Sequence, residues 1–145
     1  LRTELDTPWL DIDQALDAGH GSCVLGIGKN ANFVADTLSH RNEVDYLLHS
    51  WVIMPNHVHV LFSPLPEKQI SRLVGGWKRF SATKIHKEAR SSGTLWQKDY
   101  FDRLIRDWDH FVNATRYIRR NPIKAALMEG SFMLHEAPWV KRLLS

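Results

Sequence analysis

The sequence predicts an α+β sandwich, in which an antiparallel sheet carries helices mainly on one face. Hydrophobic periodicity changes along the chain in the order strand, helix, strand, strand, helix, strand, helix. Two neighbouring segments, 44–54 and 57–63, are rich in β-branched and aromatic residues and flank the turn residues Pro55 and Asn56. A length of 145 residues with 43% hydrophobic residues suits one domain with a core, so we expect a single domain over residues 1–145.

The first three elements are predicted from short patterns. Residues 11–18 place their apolar side chains on one helical face and precede Gly19, which predicts a short helix. Residues 22–27 predict a short strand. Residues 30–38 predict a second helix, because their apolar residues have helical spacing.

The later elements have clearer patterns. Residues 68–90 repeat apolar side chains at a helical period, with Lys and Arg on the other face, and predict a long helix. Residues 95–105 are interpreted as a strand with a flanking loop. Asp107 or Asp109 can cap a final helix, which is expected to stop near Pro122 because the residue before a proline disfavours helix.

Charge is distributed unevenly along the chain. Up to Phe62 there are 3 Lys or Arg against 8 Asp or Glu, and beyond it there are 16 against 8. A basic second half suits a polyanionic partner such as DNA or RNA. The only cysteine is Cys23, which excludes an intramolecular disulfide and a four-cysteine zinc site and favours a cytoplasmic setting. No apolar run approaches the ~20 residues of a membrane span, so no membrane partner is expected.

A His-x-His pair lies in the second strand of the predicted hairpin. Strand alternation sends His57 and His59 to one face and Val58 to the other, a spacing that suits two ligands of one divalent cation. Two exposed strand histidines are the other interpretation of this pattern. A cytidine-type deaminase and a metallo-β-lactamase-like hydrolase are excluded, because the chain lacks the further Glu, Cys and Asp residues that those sites need.

On the last predicted helix, Tyr117 lies on a polar stripe with Asn113 and Asn121, away from the apolar stripe that starts at Phe111. A helix tyrosine is usually an amphipathic residue at the edge of the core. A phenol on a polar stripe can instead attack a phosphodiester when a cation favours its ionised form. Asn121, one turn further on, can place its amide oxygen near the same cation.

Phosphate contacts are expected from basic residues on the two long predicted helices and on the segment between them. The set comprises Lys78, Arg79, Lys84, Lys98, Arg103, Arg116, Arg119 and Arg120. Trp77, Phe80 and Trp96 interleave with these residues and can stack on unpaired bases. Trp77 and Phe80 also fit the apolar helix face, and we interpret them as core.

Three segments, 51–62, 96–103 and 117–127, together resemble the tyrosine transposases of the insertion-sequence-200 type, and most closely their REP-associated branch. The resemblance implies a ferredoxin-like sheet with a His-hydrophobic-His (HUH) site at His57 and His59 that holds Mg²⁺ or Mn²⁺. It also implies Tyr117 as the nucleophile and Asn121 as the third metal ligand. Members of this family have an aromatic-rich first strand, which we expect to be missing here because the residues before Gly19 show no good β pattern.

By this resemblance the protein binds single-stranded or hairpin DNA, and Tyr117 attacks the scissile phosphate to give a 5′-phosphotyrosine and a free 3′-hydroxyl. The resemblance further implies a homodimer acting on DNA in the cytoplasm, associated with the nucleoid. The alternative is a hairpin-DNA-binding protein without nuclease activity. Binding alone requires none of His57, His59 and Tyr117, so their joint presence favours the enzyme.

Overall fold

Five strands of the computed structural model, which describes residues 8–13, 16–18, 23–26 and 28–145, form one antiparallel sheet. They are β1 (Trp9–Asp13), β2 (Tyr46–Ile53), β3 (Val58–Pro64), β4 (Phe101–Ile105) and β5 (Met133–Glu136), in the order β4-β1-β3-β2-β5. The helices of the described residues are α1 (Gly28–His40), α2 (Ile70–Ala89), α3 (Trp108–Lys124) and α4 (Pro138–Leu144). None of them combines the length and hydrophobicity that a transmembrane segment needs.

The α+β class and the antiparallel sheet are confirmed, but helices cover both faces of the sheet rather than mainly one. In β3, Val58, Val60 and Phe62 share a core with α1 and α2. Leu61 belongs to a second core, formed with α3 and α4. Because successive strand residues point to opposite faces, the two cores lie on opposite sides of the sheet.

The N-terminal predictions are wrong. The predicted helix at 11–18 begins instead as strand β1, which pairs with both β3 and β4. The structure therefore has a strand before Gly19, contrary to our expectation, although Gly19 itself lies outside the described residues. Ladder hydrogen bonds on two sides and burial of Leu10 and Ile12 outweigh the short helical pattern. The strand predicted at 22–27 is a 3₁₀ turn at Val24–Gly26 where it is described.

The central predictions are confirmed: the helix at 30–38 is part of α1, the hairpin is β2–β3, and residues 95–105 are a loop followed by β4. The long helix is α2, but Phe80, interpreted as core, is exposed, whereas Trp77 is buried. Asp107 caps α3, because its Oδ1 accepts a hydrogen bond of 2.8 Å from the His110 amide.

The end of the chain differs from the prediction. Helix α3 continues through Pro122 to Lys124, because a proline near a helix end removes only one donor. The amides of Ala125 and Leu127 then close the helix on the carbonyls of Asn121 and Pro122. Neither β5 nor α4 was predicted.

His49 marks a bulge in β2, where the register with β3 shifts between Leu48 and Ser50. Trp139 Nε1 donates to His49 Nδ1 at 3.0 Å, so Nε2 carries the proton and donates to Ser63 Oγ at 2.8 Å. Burial lowers the pKa of His49 to about 4. The imidazole is therefore neutral in the folded protein at pH 7.

We expect this histidine to make the protein less stable in mild acid. Between its usual pKa of 6.5 and about 4, the unfolded chain protonates His49 and the folded chain does not. The free energy of unfolding should therefore fall by on the order of 3 kcal/mol as the pH drops through this range. Urea unfolding of the wild type and His49→Gln at several pH values measures this, since only the wild type has this contribution. Equal pH slopes for the two proteins would contradict it.

Candidate active site

The face of the sheet under α3 carries polar side chains where β1 pairs with β3 and β4. Asp13 lies opposite His59 of β3, and Asp11 lies opposite Arg103 of β4. Directly opposed residues point to the same face, so two carboxylates join the predicted histidine there. The sequence analysis missed both aspartates because it placed this segment on a helix. The alternation of Leu10 and Ile12 with Asp11 and Asp13 is the signal that could have identified them.

His59 is held by a buried carboxylate. Its side chain is 3% exposed, and its Nε2 hydrogen-bonds Asp11 Oδ1, while Arg103 Nη2 donates to Asp11 Oδ2 at 2.9 Å. Burial alone would raise the pKa of Asp11, but the hydrogen bonds and charges of His59 and Arg103 outweigh it and leave this pKa below its usual value. Asp11 is therefore ionised and fixes the orientation of the His59 ring.

His57 is half-buried and lies immediately before β3. Its Nδ1 donates to Asn56 Oδ1 at 2.9 Å, and its Nε2 lies 3.9 Å from Asp13 Oδ1. Burial lowers the pKa of His57, although the charges of Asp13 and Asp17 oppose it. The neutral imidazole is the form that binds a metal ion.

Tyr117 faces this site from α3. Its ring centre lies 5.6 Å from that of His59, the residue is 46% exposed, and Lys124 Nζ lies 5.5 Å from the ring centre. Phe111, Ala114 and Ile118 of the same helix are buried in the core, which leaves the Tyr117 stripe on the open side. The structure thus brings Tyr117 and His59 together on this face of the sheet.

An open cleft of about 700 Å³ lies between α3 and the sheet. Its lining includes Asp11, Asp13, His59, Phe101, Asp102, Arg103, His110, Asn113 and Tyr117. Asn121 lies one turn beyond Tyr117, and its role as third metal ligand stays a prediction.

The donors in this region fit a divalent cation, although they are not arranged as a preformed cage. Within the described residues, no group of three or more His, Cys, Asp or Glu side chains surrounds a common point. Two buried atoms at the site, His59 Nδ1 and Asp13 Oδ1, have no hydrogen-bond partner among those residues. An unpaired buried polar atom is costly, and imidazole nitrogen and carboxylate oxygen both ligate divalent cations.

Three of the eight basic residues expected on DNA donate hydrogen bonds within the protein. Lys78 donates to main-chain carbonyls before β4, at 2.9 and 3.0 Å, and Arg103 donates to Asp11. Arg119 forms a bidentate pair with the buried Glu136 at 2.8 and 2.7 Å. DNA contact stays a prediction for all eight, of which the other five are exposed: Arg79, Lys84, Lys98, Arg116 and Arg120.

We expect Arg119 to contribute to stability and its neighbour Arg120 to contribute little. Arg119→Met leaves the Glu136 carboxylate buried without its partner, which should cost about 2 kcal/mol after allowance for the partial exposure of Arg119. Arg120→Met removes the same charge from an exposed position and should change stability by less than about 0.5 kcal/mol. Urea unfolding of both variants measures the difference, and equal stabilities would contradict this role.

Known proteins resemble this chain in sequence and in fold. The family model described as transposase IS200 like matches residues 31–121, a range that includes His57, His59, Tyr117 and Asn121. An uncharacterized protein of Haemophilus influenzae is 28% identical over 94 residues, which cover 50% of this chain and 52% of that protein. The chain therefore spans about half the length of this curated relative.

Two solved structures share the fold. A REP-associated tyrosine transposase bound to a REP hairpin superposes with a TM-score of 0.64 at 17% identity, over 86% of this chain and 71% of that one. A candidate transposase of Deinococcus radiodurans superposes with a TM-score of 0.57 at 20% identity, over 83% of this chain and 92% of that one. At these identities the likeness shows the fold alone.

Proposed function

Because this chain belongs to the IS200-like transposase family, we propose that it cleaves and rejoins single-stranded DNA beside a hairpin, with Tyr117 as the nucleophile. The observation that carries the proposal is the position of Tyr117 above the buried His59 in an open cleft. A similar fold has been solved with a REP hairpin bound, which supports hairpin DNA as the substrate class.

In the cleavage step, the Tyr117 oxygen attacks the scissile phosphorus and a bond forms between them. The bond from phosphorus to the 3′-oxygen breaks, and that oxygen takes up a proton to become a free 3′-hydroxyl. The phenol loses its own proton, so protons and charge balance. The reverse attack by a 3′-hydroxyl rejoins a strand without ATP, because the phosphotyrosine conserves the phosphodiester energy.

The surrounding side chains bind and orient the reacting groups. Lys124 places a positive charge beside the Tyr117 ring, where it attracts the phosphate backbone. Asp11 and Arg103 hold the His59 ring, and His57 presents a neutral imidazole. When bound, a Mg²⁺ or Mn²⁺ ion held by His57, His59 and the expected ligand Asn121 supplies charge neutralisation at the scissile phosphate.

The test is incubation with a hairpin oligonucleotide that has single-stranded flanks and is labelled at one end or the other, with Mn²⁺. We expect a denaturant-resistant protein–DNA adduct that contains only the DNA on the 3′ side of the cut. Chelation should prevent its formation. Salt-sensitive hairpin binding with no adduct under any metal condition would contradict the proposal and favour the DNA-binding alternative.

We further infer that two copies act together, on nucleoid DNA in the cytoplasm. Strands β4 and β5 are the two edges of the described sheet, and an edge strand can pair with another chain. Light scattering with and without hairpin DNA tests this. Monomer at all concentrations would contradict it.

A further inference from the structure

An exposed aromatic ring lies on the polar face of the sheet, at the rim of the cleft that contains Tyr117. Phe101 begins β4 and is 71% exposed. Its strand neighbour Asp102 and the opposed Asp13 are both acidic. An apolar ring in such surroundings contributes nothing to the core. Because the ring lines the same cleft as Tyr117, it is accessible to a ligand that binds there.

The sheet register sets the distance between the backbone positions of Phe101 and His59. Phe101 is opposite Asp13, and Asp13 is opposite His59, so the three side chains form one row across β4, β1 and β3. Adjacent strands are about 4.8 Å apart, which places Phe101 roughly 10 Å from His59. The Tyr117 ring lies above the His59 end of this row. A nucleotide next to the scissile phosphate can therefore reach Phe101.

The segment before Phe101 is fastened to the rest of the protein. Lys78 donates to the carbonyls of Gln97 and Lys98 and lies 5.3 Å from the ring centre of Tyr100. Trp96 Nε1 donates to Ser81 Oγ at 3.1 Å. The start of β4 is thus held before any ligand binds, which lowers the entropy cost of stacking on it.

The rest of the cleft supplies groups that suit a nucleotide. Asn113 and His110 of the cleft lining offer hydrogen-bonding side chains, and Lys124 beside the Tyr117 ring offers a positive charge. A flat exposed ring among such groups matches an unpaired base, which has a π-face, polar edges and an anionic backbone. We propose that Phe101 is the platform on which the unpaired base next to the scissile phosphate stacks. This inference rests on the proposed function.

The test uses Tyr117→Phe protein, so that DNA is bound but not cut, and a hairpin oligonucleotide with 2-aminopurine at each unpaired position in turn. Adding Phe101→Ala should weaken binding about 10-fold and abolish fluorescence quenching at one position. Phe101→Trp should restore both. The matched control is Leu104→Ala, which truncates another exposed apolar residue on the opposite face of the same edge strand. It should change neither.

Four outcomes decide between the interpretations. On DNA in which the quenched nucleotide is made abasic, stacking predicts that Phe101→Ala no longer weakens binding. That result supports stacking. Equal affinity and quenching in the Phe101→Ala and Leu104→Ala proteins overturns it, and so does a Phe101→Ala protein that keeps its DNA affinity but no longer dimerises. Position-specific quenching in the Tyr117→Phe protein, together with a wild-type protein that never forms an adduct, would support the platform while the proposed chemistry fails.

Discussion

Replacing Tyr117 with Phe is expected to abolish the covalent protein–DNA adduct while hairpin affinity stays within a few-fold. The substitution removes only the hydroxyl that attacks the phosphate. It keeps the ring beside His59 and leaves every cationic side chain in place. Adduct formation on a denaturing gel and equilibrium binding by anisotropy, measured on the same preparation, separate the loss of chemistry from a loss of binding.

The matched control is Tyr100→Phe, which removes the hydroxyl of a half-buried tyrosine lying under Lys78. It should form the adduct at the wild-type rate. The third tyrosine of the chain, Tyr46, is a poor candidate because it is buried and its hydroxyl donates to the Leu38 carbonyl. An adduct in Tyr117→Phe that disappears in Tyr100→Phe would move the nucleophile to Tyr100, just before β4.

The parts of the site that could be predicted are those set by local periodicity. Alternation along the predicted strand 57–63 puts His57 and His59 on the face opposite Val58 and Val60, whatever the strand pairs with. The helical period of α3 likewise separates Tyr117 from the buried Ile118. Each pattern lies within one element, so the sequence alone contains it.

The parts that could not be predicted depend on which distant segments meet. β1 has five residues, and it is a strand because β3 and β4 pair with both its edges, at positions some 50 and 90 residues along the chain. The partner of Arg119 is Glu136, on a strand that periodicity did not reveal. The charges in the sequence led us to expect Arg119 and Arg103 on DNA, but could not show that each also pairs with a carboxylate of the folded chain.

Asp11 is the residue whose importance follows only from that long-range pairing, and Asp11→Asn is expected to weaken Mn²⁺ binding by about 10- to 100-fold. A carboxylate that accepts a hydrogen bond from a metal-binding histidine orients the ring and makes it a stronger ligand. Asparagine has the same size and can still accept this hydrogen bond, but it lacks the charge that Arg103 neutralises. Titration calorimetry with Mn²⁺ in the absence of DNA measures the affinity directly, and urea unfolding shows whether the variant remains folded.

The matched control for this prediction is Asp102→Asn, which makes the same change of charge at an exposed position beside the same cleft. If Asp11 acted only through long-range attraction of the cation, the two variants would lose similar amounts of affinity. Because Asp11 bonds His59 directly and is buried, we expect its substitution to have much the larger effect, with a parallel fall in the rate of adduct formation. Equal Mn²⁺ affinities of two folded variants would show that the Asp11–His59 contact serves the sheet rather than a metal site.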